Sequence, residues 1–95
     1  MKYLEDLGFT KDEIKVLSNN ASELLCDAVK ENKKLITVNI NYLKDLGVEN
    51  YRDIFIEYYE IFLNEPSTFR AIFDKYEKDS LIEKLKEDIR VIEFL

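Results

Sequence analysis

Four carboxylates, Glu49, Asp53, Glu57 and Glu60, follow one another at intervals of four, four and three residues. On a helix that spacing sets them along one face. Such a row can dock a basic partner or share a hard cation. The calcium-loop spacing is absent, so no dedicated metal site is expected. The row is also no catalytic pair, because glycoside chemistry sets two carboxylates against each other across a cleft. The plain alternative is a solvated face opposite an aromatic stripe. A second group, Lys30, Lys33 and Lys34, with Lys44 further on, is the one concentrated basic patch. It suits a phosphate or an acidic protein surface. Arginine, the residue for bidentate phosphate grips, does not accompany it, and lysines keeping a helix junction soluble would look the same. Tyr58 and Tyr59 are neighbours and cannot both point inward, which marks one of them as an interface residue.

The remaining chemistry is thin. The chain has no histidine, so the usual general base and commonest metal ligand are missing. Its single cysteine, Cys26, can form neither an internal disulfide nor a zinc pair, and no Cys–His nucleophile is possible. Glycine occurs only at positions 8 and 47, which excludes the glycine-rich phosphate loops. No catalytic residue, cofactor or metal is expected.

These side chains must be positioned by one domain, since 95 residues are too few for two full cores. With 46% apolar and 13% aromatic residues the chain can fold unaided. The net charge is −6, and residues 49–65 concentrate it, with five acids against Arg52. No secretory leader and no membrane span are read from the sequence. Together with a free thiol, that predicts the cytoplasm.

Scarce glycine and proline point to helices, expected near 2–7, 11–18, 21–31, 33–46, 50–64, 66–78 and 80–94. Three S/T/N-x-x-E stretches, starting at Thr10, Asn20 and Ser80, read as capping boxes. Gly8 and Gly47 suit left-handed helix closures, and Pro66 suits a first helical turn. The aromatics Tyr51, Phe55, Tyr58, Tyr59, Phe62, Phe69, Phe73 and Tyr76 recur at helical spacing and predict one packed core. Residues 35–42 resist, because Ile36-Thr37-Val38-Asn39-Ile40 alternates like a strand. Such a strand would need a second chain to pair with. Ile36, Ile40 and Leu43 also lie at helical spacing, and a helix is expected there.

Tyr3-Leu4-Glu5-Asp6-Leu7-Gly8-Phe9 recurs as Tyr42-Leu43-Lys44-Asp45-Leu46-Gly47-Val48, with five of seven positions identical. Asn19-Asn20-Ala21-Ser22 likewise parallels Asn64-Glu65-Pro66-Ser67. A period near forty in a helical chain signals an array of repeats, here units of about 3–41 and 42–95. The pattern resembles the repeat of the mitochondrial transcription termination factor family. That resemblance implies helices grouped in threes, stacked into a superhelix, and nucleic-acid binding through a basic groove. This chain departs in being acidic and short, with Ala21 where a proline is expected.

The expected fold is therefore all-α, a short array of helical repeats. The expected function is a non-catalytic interaction module that binds a protein partner or a second copy of itself. Self-association follows from apolar flanks, Tyr3, Leu4, Phe94 and Leu95, expected to lack neighbours. Nucleic-acid binding is the alternative, and the net charge disfavours it.

Overall fold

A computed structural model describes residues 2–95. The chain is all-α, with no strand among the described residues. Among the described residues seven α-helices run in order: α1 (Tyr3–Asp6), α2 (Lys11–Asn20), α3 (Glu23–Glu31), α4 (Lys33–Leu46), α5 (Tyr51–Tyr58), α6 (Pro66–Asp74) and α7 (Lys78–Glu87). Two 3-10 helices, Tyr59–Leu63 and Ile89–Phe94, follow α5 and α7. No helix among the described residues is long and apolar enough to cross a membrane.

Local chemistry fixes most of the boundaries. The Thr10 hydroxyl accepts from the Glu13 amide at 3.1 Å, and the Glu13 carboxylate accepts from the Thr10 amide at 2.9 Å. That reciprocal box starts α2, satisfying two donors that the first turn leaves orphaned. Gly8 and Gly47 both stand at positive φ, 101° and 95°. In each copy of the repeated heptapeptide the same two bonds close the helix. Phe9 and Val48 donate to Leu4 and Leu43, both at 3.0 Å, while Gly8 and Gly47 donate to Glu5 and Lys44. This is the Schellman closure, which needs a left-handed residue that glycine adopts without strain. Pro66 begins α6, where its missing N–H has no intrahelical role.

The other two expected boxes fall elsewhere. Ser22, not Asn20, caps α3 by accepting from the Leu25 amide at 3.2 Å. Glu77, not Ser80, caps α7, its carboxylate taking the amides of Asp79 and Ser80. Each of the two long helices expected at 50–64 and 80–94 is broken. Tyr58, at φ −127°, ends the α-helical path, and the chain tightens into the first 3-10 helix. Asp88 takes an extended conformation, φ −158° and ψ 111°, between α7 and the second 3-10 helix.

Residues 35–42 are helical within α4, and the strand alternative is overturned. Ile36, Asn39, Ile40 and Leu43 are all buried on one face, while Val38 turns outward. The alternation of Ile36, Val38 and Ile40 is therefore split between opposite sides of a helix. Burying four side chains of one α4 face outweighs the β preference of branched residues.

The core is a run of aromatic rings. Phe9 meets Phe55 at 5.4 Å between centroids, Phe55 meets Phe62 at 5.0 Å, Phe62 meets Phe69 at 4.9 Å and Phe69 meets Phe73 at 5.0 Å. Tilted and edge-to-face contacts of this kind add to the gain from burial. Tyr51, Tyr58 and Tyr59 flank the run partly buried, whereas Tyr76 lies outside it. Tyr3 and Leu4, expected as bare flanks, are instead core residues. The Tyr3 hydroxyl donates to the Val29 carbonyl at 2.6 Å, binding α1 to α3.

Asn39 is the one buried polar side chain among the described residues. Its amide donates to the carbonyls of Phe62 and Asn64 at 2.9 and 3.0 Å, so α4 fastens the end of the first 3-10 helix. At the start of α5, Tyr51 and Arg52 donate to the carbonyls of Leu7 and Gly8. These bonds cross between residues 3–41 and 42–95, and α4 itself runs through their boundary. The radius of gyration, 12.7 Å, is that of a globule of this length, about 12–13 Å.

Candidate functional site

Asp53 and Glu57 lie on the exposed side of α5 and border a groove of about 430 Å³. Ile56 of α5, Leu85 of α7 and Ile89 supply its apolar lining. Glu87 and Asp88, at the break after α7, add two acids to Asp53 and Glu57, with Lys86 the one base in the border. The walls are tied together where the Asn50 side chain donates to the Leu85 carbonyl at 2.8 Å. Arg90 grips the Asp88 carboxylate, with contacts of 2.8 to 3.1 Å, and holds it below the usual carboxylate range. Asp88 therefore stays ionised while its guanidinium partner is already committed.

The predicted row survives only in part. Glu49 lies just before α5 and meets Lys86 at 3.9 Å, both well exposed, a pair that contributes little to stability. Glu60 does not reach the groove, because the helix path changes at Tyr58. It borders a second hollow of about 210 Å³ with Glu57, Tyr58 and Tyr59, so Glu57 stands at both. Glu87 and Asp88 were missed because they are distant in sequence and meet α5 only through the turn after α7. Among the described residues no group of three or more Cys, Asp or Glu is placed to hold a metal ion.

Neither Tyr58 nor Tyr59 protrudes. Both pack against the core, and the Tyr58 hydroxyl donates to Glu93 at 2.8 Å. That bond, with the neighbouring acids, raises the phenol above its ordinary value. The exposed aromatics are Phe94, 83% accessible, and Tyr76, 44% accessible. They border a groove of about 200 Å³ beside Leu81, Val91 and Leu95. The sequence grouped Tyr76 with the core because its spacing from Phe69, Ile72 and Phe73 is helical. In fact α6 ends at Asp74, and Tyr76 falls in the turn beyond it.

The lysines redistribute as well. Lys30, Lys33 and Lys34 are all exposed, but Lys33 and Lys34 open α4 while Lys30 stands in the last turn of α3. Lys30 joins Lys2 and Lys11 round a hollow of about 450 Å³ with Ile14 in its lining and Glu5 among its borders. Three different stretches of chain supply these three amines, so spacing along the sequence could not group them. Cys26 is half-buried, its thiol facing the carbonyls of Ser18 and Ala21 at 3.8 and 4.0 Å.

No family model, curated protein or solved structure matches the chain. Its chemistry is read from its own residues.

Proposed function

We propose that the chain is a non-catalytic interaction module that docks a basic, amphipathic segment of a protein partner, with self-association a second form of the same role. The observation that carries the reading is the groove between α5 and α7, which combines an apolar lining with carboxylates from both sides. Apolar contact gives such a site affinity, while the charges choose the partner and speed its approach. A helix bearing lysines or arginines beside leucines offers the matching surface. The absence of histidine and of any phosphate loop supports a non-catalytic role, and the free thiol is consistent with a reducing cytoplasm.

The test is fluorescence anisotropy with a labelled Lys- and Leu-rich helical peptide and a charge-neutral analogue of equal length. The basic peptide is expected to bind more tightly, and binding should weaken as salt rises. The double variant Asp53→Lys/Glu57→Lys should lose at least about tenfold in affinity. Equal binding by the variant and the parent would overturn the reading.

Nucleic-acid binding is the second reading, favoured by the amines of Lys2, Lys11 and Lys30 round one hollow and by the resemblance to termination-factor repeats. The net charge of −6 ranks it second. Short RNA and DNA at low salt decide it, since phosphate-driven binding falls steeply as salt rises.

A further inference from the structure

We propose that two copies of the chain pair about a two-fold axis through the surface formed by Tyr76, α7 and Phe94. The surface presents a projection and a hollow side by side. Phe94 stands out, 83% accessible, next to the groove bordered by Tyr76, Leu81, Val91 and Leu95. A two-fold contact requires one patch to complement itself, and a ring beside an apolar groove meets that requirement, each ring entering the other copy's groove. The Tyr76 hydroxyl reaches the Phe94 backbone carbonyl at 3.5 Å, so this contact does not use the Phe94 ring.

Charge selects the occupant. Two chains of net charge −6 repel over most of their surfaces. This groove is bordered by one acid and one base, Glu77 and Lys84. Glu77 caps α7 and Lys84 lies within it, seven residues further on, with the buried Leu81 between them in the groove's border. Laying α7 antiparallel on its copy sets Glu77 of each chain against Lys84 of the other, twice. The Glu77 carboxylate is held in place by the cap bonds from the amides of Asp79 and Ser80, and each of its oxygens keeps a lone pair for a lysine. Lys84 takes part in no ion pair among the described residues. One ring, one small groove and two exposed ion pairs give a weak, reversible dimer, of the kind found below the ~800 Å² per partner of a standard interface.

The pairing deepens the interaction-module reading by naming one partner, and it rests on that reading's general claim. The acidic groove takes no part, so loss of peptide binding and loss of pairing are read separately. Sedimentation equilibrium on the full chain, at concentrations up to about 1 mM, reaches the weak end of specific association. The average mass should rise above the 11.3 kDa of one chain. Phe94→Asp and Lys84→Glu should each raise the dimer dissociation constant about tenfold or more, with circular dichroism showing an unchanged fold. Leu24→Ser, at the other highly exposed apolar residue, should leave the mass curve as it is. A strict monomer throughout would overturn the proposal. So would a dimer indifferent to Phe94→Asp, or one abolished by Leu24→Ser instead.

Discussion

The side-chain amide of Asn39 donates to the backbone carbonyl of Asn64, twenty-five residues away, at 3.0 Å. The same nitrogen serves Phe62, whose side chain lies at the middle of the aromatic run. One buried amide thus holds the carbonyls where the first 3-10 helix ends. Replacing Asn39 by Ala leaves both without that donor and should cost about 2–3 kcal/mol. Asn39→Asp should cost more at neutral pH, because it places a carboxylate against two carbonyl oxygens. Urea denaturation of the three proteins gives the order directly.

The two glycine closures share their backbone geometry but not their surroundings. A Cβ at Gly8 would fall on the Tyr51 hydroxyl, whereas one at Gly47 would meet only the Ile82 Cδ1 at 3.9 Å. Gly47→Ala should cost about 1–2 kcal/mol, the left-handed penalty alone. Gly8→Ala should cost more, and adding Tyr51→Phe should recover part of the excess. Thermal melts of the three variants and the parent would check the order.

Burial pushes the Tyr3 phenol up to about 12 from an ordinary 10.0. Tyr42 is pushed up to about 12 as well, by burial and then by the Asp74 carboxylate that accepts its proton at 2.6 Å. A raised folded value means that the folded state keeps protons the unfolded chain has released. The associated stability is therefore complete below pH 10 and is lost as the pH climbs toward 12. For Tyr3 the loss amounts to at most about 3 kcal/mol. Tyr3→Phe should cost about 1 kcal/mol at neutral pH through its missing hydrogen bond. Against pH, that variant should decline less steeply in the alkaline range, as denaturation at stepped pH would reveal.

Phe62 and Phe94 make a controlled contrast between rings. Phe62 is fully buried between Phe55 and Phe69, and Phe62→Ala should cost about 3–5 kcal/mol. Phe94→Ala should change the stability of one chain by no more than about 0.5 kcal/mol. Chemical denaturation at low protein concentration makes the comparison.

The features legible in the sequence were those with a local cause. Thr10 with Glu13, Gly8, Gly47 and Pro66 act through their nearest turn, so their neighbours sufficed to place them. Glu77 escaped notice because glutamate is an uncommon cap and Ser80 offered a more familiar one. The breaks at Tyr58 and Asp88 were hidden because apolar spacing continues across both. Asn39 had a readable signal, falling three residues after Ile36 and four before Leu43, on the buried face of α4. The alternating pattern drew attention to its polarity instead. Half of the acidic groove was visible as Asp53 and Glu57. The other half, Glu87 and Asp88, belongs to an element brought alongside only by packing.

The boundary between residues 41 and 42 divides the two similar stretches of sequence, yet it lies inside α4. A cut there would sever a helix and part Asn39 from Phe62 and Asn64, and Leu7 from Tyr51. The sequence period and the mechanical seams of the molecule are thus out of phase. Growth of such a chain by insertion is better accommodated at Ala21 and Ser22, where the backbone is extended between α2 and α3 and no helix has to be broken.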